Sequence, residues 1–483
     1  QYLRYGAEYQ TVTQSPLLHF PAGEYEREIE KCHGCGQCKS QVATTMCPTY
    51  KATRREHASP RAKANLLRGI ITGALDPEST CGRAITKMVT DYCIVCGMCA
   101  VECPSNVNIP KLMLEAKSRY RAQHRAAPTE LVMGHAEQVS RLGQRIAPVS
   151  NRLTNRRIVR LVGQPLAGID RRRVMAPFAG KSLVQLLAKR VGSEPVTTTV
   201  LVTATDPEAG ADIVETGGAG AARLGARSDT QTPRVAYFYD IFANYNDPGI
   251  ALTVERILKA HSIEVLFPRQ RGSGVPEMLN GFSDLARDTA EFNVRSMLPL
   301  LREGAALVSS EPTASFAFKV HYPDYLSSQA CSTVANAFHD LGEFLQRYRE
   351  DHPDRAPRAG ALRGRHGSAT PDGGTPLRIA YHLPCHLKAQ QIGSPALALL
   401  AEIPGVELVG LDAGCCGMAG TFGMKAHTYD LSLLAGQPLF DRVAEVGPHL
   451  VATDCSTCRL QIAQATGLPV VHPVMLLADA YRV

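Results

Sequence analysis

Two cysteine triplets, each matched by a cysteine directly before proline, constrain this chain more than any other feature. Cys32, Cys35 and Cys38 stand at two-residue spacing, with Cys47 before Pro48; Cys93, Cys96 and Cys99 repeat the spacing, with Cys103 before Pro104. Three thiolates so spaced wrap one face of an iron-sulfur cube, and Gly34, Gly36 and Gly97 let backbone amides approach the sulfurs. Zinc would instead use two separated pairs around one tetrahedral ion. The pattern predicts two [4Fe-4S] clusters. Eight residues separate Cys38 from Cys47, which predicts a loop that leaves ligation unchanged. Ser59-Pro60 reads as the N-cap and first residue of a helix through Leu67, a spacer that brings the two motifs together.

The constellation resembles that of bacterial two-cluster ferredoxins, in which the cysteine before proline ligates the other cluster. That resemblance implies Cys32, Cys35, Cys38 and Cys103 as the ligands of cluster 1, and Cys93, Cys96, Cys99 and Cys47 as those of cluster 2.

Downstream the sequence repeats itself. RVAYFY, a helical run from Asp247 to His261, IEVLFP, the turn RGSG and AALVSSEP form one unit; LRIAYH, SPALALLAEI, VELVGL, the turn GCCG and HLVATDCSTC form a second. Strands alternating with helices of this length predict two parallel α/β lobes. In the second unit Cys385, the pair Cys415 and Cys416, and Cys455 with Cys458 all fall at predicted strand ends. In open parallel sheets that edge collects ligands, so five thiols spread over 74 positions can converge there. The order of a lone cysteine, Cys-Cys-Gly and C-x2-C resembles the cysteine-rich CCG domain, which implies a metal site of iron-sulfur or zinc character at these five residues. In the first unit Ile241, Gly272, Ser273, Glu311 and Ala314 stand in the corresponding places, so that lobe is expected to be structural or docking.

The expected fold class is thus mixed α+β and α/β: a mainly helical ferredoxin-like domain followed by two pseudo-repeated CCG-type lobes, the first without its cysteines. The expected boundaries are an N-terminal extension at 1–24, the two-cluster domain at 25–125, a basic helical connector at 126–200, a linker at 201–233, the degenerate lobe at 234–351, a second linker at 352–376 and the intact lobe at 377–483.

Composition narrows the function classes. The formal charge of +7 falls to roughly +3 once two clusters, each about −2 with its thiolates, are counted. The basic balance therefore gives little support to a nucleic-acid partner, and no zinc-finger spacing or RNA-binding signature accompanies it. Fifteen cysteines, an odd number clustered at metal-ligand spacings, favour a reducing cytoplasm over a disulfide framework. No run of 18 apolar residues suggests a membrane span. Between Arg121 and Arg190 fourteen Lys and Arg face three acids, a basic helical face suited to anionic lipid or an acidic partner, so peripheral contact with the inner face of the cell membrane is an alternative to solvated surface. His33, His382 and His386 lie beside cysteine motifs, where a histidine tunes a metal or simply packs, and Lys425 offers a balancing charge. Cys81 and Cys331 lie outside every motif.

The segments KCHGCGQCKS, TMCPTYKATRREHASPRAKANLLR, DYCIVCGMCAVECPSNVNIPKLMLEAK, GIDRRRVMAPFA and GCCGMAGTFGMK together resemble the iron-sulfur part of FAD-linked D-2-hydroxyacid dehydrogenases, of the D-lactate and D-2-hydroxyglutarate type. The same modules occur in the iron-sulfur subunits of glycolate oxidase and anaerobic glycerol-3-phosphate dehydrogenase. The resemblance implies an electron-transfer module that takes electrons from FAD, on an upstream domain or a partner subunit, towards a quinone or soluble carrier. A start at Gln1 rather than methionine suits a piece of such a longer polypeptide. The isolated chain is expected only to transfer electrons, because the oxidation of substrate belongs to the flavin. The competing expectation is a CCG-site catalyst of disulfide and thiol redox chemistry, as in heterodisulfide reductases, where the cysteine pattern is present twice.

Overall fold

The computed structural model describes residues 10–12, 14–41, 46–191, 201–202, 232–362 and 376–483. Part of the loop expected between Cys38 and Cys47 (42–45), and most of the two expected linkers (203–231 and 363–375), lie outside these.

The regular elements described between residues 24 and 123 are all helices, and side-chain caps set where several of them begin. Ser59 accepts the N–H of Ala62 at 3.2 Å and Pro60 opens the helix Pro60–Ile71, one turn longer than expected from sequence. Ser79 does the same for Thr80–Asp91 by accepting from Gly82 at 3.0 Å, and Asn108 for Ile109–Gln123 by accepting from Lys111 at 3.1 Å. Ile29, Leu67, Ile71, Leu112 and Met113 form the core between them. Buried Glu115 accepts the backbone N–H groups of Leu17 and Leu18, tying the N-terminal segment to the longest of these helices.

All nine described strands are in two parallel sheets. In the first, β1 (Leu201–Val202), β2 (Arg234–Phe238), β3 (Glu264–Pro268), β4 (Ala306–Ser309) and β5 (Phe338–Asp340) lie in the order β1-β3-β2-β4-β5. In the second, β6 (Leu377–His382), β7 (Val406–Leu411), β8 (Leu450–Ala452) and β9 (Val470–Val471) lie in the order β7-β6-β8-β9. Residues 201–202, expected from composition to belong to a linker, thus pair as an edge strand. Apart from β1 the two orders correspond, and so do the registers: Val235 faces Ala306 and Val265 as Ile379 faces Leu450 and Leu408. Tyr237 OH meets Ser310 Oγ at 2.7 Å, and Tyr381 OH donates to Asp454 Oδ2 at 2.6 Å from the matching position.

One apolar core joins the two lobes, through Tyr237, Phe267 and Leu345 on one side and Tyr381, Leu400 and Leu477 on the other. A second joins the helical region to the first lobe, through Leu112 and Met113 against Met278, Phe318 and Phe338. The connector is helical over Pro128–Gly134, Ala136–Arg145, Ala147–Thr154, Arg157–Ala167 and Leu183–Val191. It is pinned to the second lobe by Arg173, which is fully buried, donates twice to the Gly423 carbonyl at 3.0 and 2.6 Å and once to Gln461 Oε1 at 2.5 Å, and lies over the Tyr429 ring. Replacing it leaves buried acceptors unpaired. Arg173→Met is expected to cost about 2–3 kcal/mol, read as a lower midpoint in urea or thermal unfolding.

Candidate metal centres

The first loop, with Gly34 and Gly36 at φ 76° and 81°, lines a surface cleft with Cys32, Cys35, Cys38 and, from the other motif, Cys99 and Cys103. Cys35 is exposed, and His33 Nδ1 meets Ser105 Oγ at 2.6 Å, joining the two loops that meet there. Burial pushes the Cys38 thiol up to about 11.

The second loop is enclosed: Cys93, Cys96, Cys99 and Cys47 are all buried. Cys47 is held to the start of this loop by Thr49, whose Oγ1 lies 3.3 Å from its sulfur and donates to the Tyr92 carbonyl at 2.8 Å. Gly97 has φ 80°, but Val95 stands where the first loop has Gly34 and adopts φ 53°, a conformation a β-branched residue reaches only under strain. Burial raises the Cys96 and Cys99 thiols above their ordinary range, with neighbouring cysteine charges adding to it. Ionising them therefore needs positive charge, and the donor set of eight unbridged thiols fits groups that supply iron.

The helix Pro60–Ile71 enters between the two loops, so it does more than space the motifs. Arg61 lines the first cleft and is ion-paired to Glu56 at 2.7 Å. Lys63 is 1% exposed, donates to the Ala58 carbonyl at 2.6 Å, and is held charged by Cys47, Cys93, Cys99 and Cys96 despite its burial. Its signal in the sequence was a lysine on the apolar stripe shared with Leu67 and Ile71. From the opposite side Lys117 Nζ donates to the Cys93 carbonyl at 2.8 Å.

The five downstream cysteines also converge. Cys385 opens a helix after β6, Cys415 and Cys416 follow β7, Cys455 caps the helix Ser456–Thr466 after β8, and Cys458 lies in its first turn. Cys416 Sγ and Cys458 Sγ are 3.2 Å apart, and Cys415 Sγ accepts the N–H of Gly417 at 3.2 Å. Hydrogen bonds from Cys385 and Cys416 hold the Cys415 thiol well below its ordinary range, and one from Cys458 brings Cys455 down to about 6. Gly417 has φ 84°, and a Cβ there would lie 1.9 Å from the Ser432 carbonyl oxygen. His382 joins this group: its nitrogen and the sulfurs of Cys416 and Cys458 lie within 4.8 Å of one another, the only such set among the described residues. Burial lowers His382 to about 4 and so keeps the ring neutral, the form that ligates.

The second loop and this edge are in contact. Ile94, Cys96 and Met98 pack with Cys415 and Phe422, and a Cβ on Gly97 would lie 2.8 Å from Ala389 Cβ. His386 locks the junction, with Nε2 3.3 Å from the Val95 carbonyl, Nδ1 3.2 Å from Thr313 Oγ1, and its ring stacked on Phe316. Lys425 is directed elsewhere, to Asn280 Oδ1 at 2.8 Å. Cys81 is exposed and Cys331 packs in the core of the first lobe.

A family profile described as a 4Fe-4S dicluster domain matches residues 28–107, and one described as a cysteine-rich domain matches 379–463. The chain joins a 4Fe-4S dicluster domain to a cysteine-rich CCG domain. It is 29% identical over 379 residues to one subunit of the anaerobic glycerol-3-phosphate dehydrogenase of Escherichia coli (strain K12), covering 78% of this chain and 83% of that one. A subunit of the fumarate reductase (CoM/CoB) of Methanothermobacter marburgensis is 22% identical, covering 90% of this chain and 68% of that one. D-2-hydroxyglutarate dehydrogenase of Escherichia coli (strain K12) is also 22% identical, over 94% of this chain, which spans 44% of that protein's length.

In the first lobe the edge corresponding to the cysteine site is closed by carboxylates. Asp240 accepts from the N–H groups of Ile241 and Ser273 at 2.8 and 3.0 Å, Glu137 from that of Gly272 at 2.9 Å, and Glu311 from that of Ser456 at 3.0 Å. Buried Glu277 is pushed up to about 8 by desolvation, and its Oε2 has no hydrogen-bond partner. A carboxyl raised in the folded state favours folding below its unfolded value, near 4.5, and loses that contribution as pH rises towards 8. Glu277→Gln is therefore expected to flatten the decline in unfolding midpoint between pH 5 and 9; an unchanged slope would place the proton elsewhere.

Proposed function

We propose that this chain is the iron-sulfur electron-transfer module of a flavin-dependent oxidoreductase acting on a CH–OH group, with FAD on a partner domain or subunit. Cys32, Cys35, Cys38 and Cys103 would hold one [4Fe-4S] group and Cys93, Cys96, Cys99 and Cys47 the other, and these would supply one-electron redox chemistry. The contact between the second cysteine loop and the CCG edge is the observation that carries this reading. It suits a relay that begins at the exposed Cys35, passes the enclosed second loop, and reaches the edge where Cys96 and Cys415 pack together. The corresponding orders and registers of the two lobes support their origin as copies of one unit, of which the second kept its cysteines.

The substrate class expected from the sequence is a D-2-hydroxyacid. The likeness to the glycerol-3-phosphate enzyme supports a second reading, in which a polyol phosphate is oxidised at the flavin. Adding each substrate anaerobically to the flavin-containing assembly distinguishes them: the productive one is expected to elicit the EPR signal of reduced clusters. Silence with both would remove this chain from that electron path.

Lys63 bears on the potential of the enclosed cluster. A buried cation favours the more negative, reduced form of a nearby cluster; at the first loop Arg61 is offset by Glu56, and buried Arg68 lies against the Cys32 carbonyl. Lys63→Gln is expected to move the midpoint potential of the buried cluster to a more negative value at unchanged iron content, as followed by EPR redox titration. The exposed cluster, identified by its broadening with an external paramagnetic relaxant, should shift less.

The connector supports contact with a membrane surface. No described helix is long and apolar enough to cross a bilayer. Residues 138–169 nevertheless contain no Asp or Glu, and their helices expose Leu142, Val149, Ile158, Leu161 and Leu166 beside Arg152, Arg156 and Arg157. Exposed aliphatic side chains among unopposed arginines match the chemistry of an anionic lipid interface. The protein is expected to cosediment with vesicles containing anionic lipid and not with zwitterionic ones, with Ile158→Asp weakening the binding. Indifference to lipid charge would assign this face to the flavin partner.

A further inference from the structure

His382 closes β6 and is 1% exposed, yet neither ring nitrogen has a hydrogen-bond partner. Among the described residues it is the one histidine left with both nitrogens buried and unpartnered. Buried His472 meets the Ser310 carbonyl through Nε2 and accepts the N–H of Val474 at Nδ1; buried His261 and His321 each leave one nitrogen unpartnered, and half-buried His386 uses both as described above. An imidazole taken out of water without a partner is costly, so such a group implies something that occupies its lone pair.

The chain contains its own control. The strand registers make Phe238, at the end of β2, the counterpart of His382, just as Tyr237 is the counterpart of Tyr381. The first lobe has lost its cysteines, with Ile241, Gly272, Ser273, Glu311 and Ala314 in their places. It has kept the tyrosine that bonds across the sheet, and it lacks the histidine. A histidine required by the sheet would have counterparts in both lobes; this one accompanies the thiols.

We propose that His382 is a nitrogen ligand of the metal held at the CCG edge, beside Cys416 and Cys458, making that centre a mixed imidazole and thiolate site for an ion of the zinc or iron class. This rests on the reading of that edge as a metal site. A neutral imidazole in place of a thiolate makes the centre less negative by one charge. With iron it would favour reduction, as in histidine-ligated [2Fe–2S] centres, and make this edge a sink for electrons from the second loop; with zinc it would complete a structural nitrogen and sulfur site.

The test uses anaerobically purified protein, with total iron and zinc measured first. Zinc is examined by X-ray absorption at its own edge, and iron by pulsed EPR on protein grown with 15N-histidine. Imidazole scattering at the zinc edge, or a strong histidine nitrogen coupling on the signal not assigned to the two cubanes, is expected. In His382→Ala that signature should be lost, with the roughly eight irons of the dicluster domain retained. A sulfur-only shell, a third signal without histidine coupling, or no metal beyond that of the two cubanes in the wild-type protein would overturn the proposal, and none of these needs the variant to fold. The iron count and the cubane signals report separately on the electron-transfer reading.

Discussion

Four cysteines at the centre of this protein, Cys47, Cys93, Cys96 and Cys99, are almost entirely enclosed, and the negative charge of any cluster they hold has to be met by charge the chain itself brings inside. Much of the architecture follows from that requirement. The helix Pro60–Ile71 delivers Lys63 and the helix Ile109–Gln123 places Lys117 on the Cys93 carbonyl, while the second lobe packs against the loop with Phe422 and the helix that begins at Cys385. The first loop is more open, with Cys35 exposed; there Arg61 is shared with Glu56 at the surface and buried Arg68 donates to the Cys32 carbonyl at 2.8 Å. Two cysteine triplets of identical spacing thus differ in how far they are enclosed.

The lobes show a parallel asymmetry. Both have the same strand order and the same tyrosine hydrogen bond across the sheet, yet one carboxyl edge gathers thiols and an unpaired imidazole while the other is filled with carboxylates capping backbone amides. The first lobe is still part of the junction: Thr313 and Phe316 hold His386, and Glu311 caps the helix that carries Cys458. Its apolar core is continuous with that of the cluster region.

Much of the site was legible because ligation chemistry leaves short, rigid spacings. The cysteine motifs, the other residues that stand in their places in the first lobe and the capped helix at Ser59 could all be read locally. Lys63 was harder, since a lysine on an apolar helical stripe acquires meaning only when its neighbours in space are known. Val95 was invisible for a related reason: nothing in its sequence context announces that it takes over the left-handed conformation that Gly34 has in the other loop. The roles of His382 and His386 stayed open between packing and metal chemistry, because two histidines flanking one cysteine look alike until each ring's partners are known.

By itself the sequence set out the cysteine spacings, the strand and helix alternation of the lobes, and the replacement of the motif cysteines in the first lobe, because each depends on residues within a few positions of one another. Tertiary structure alone decided which loop is buried, that Cys96 packs against Cys415 across a long stretch of chain, and which charges face which thiols. Those are properties of the space between chain segments. Burial, Coulomb interaction and hydrogen-bond satisfaction act across that space, and no local spacing encodes it.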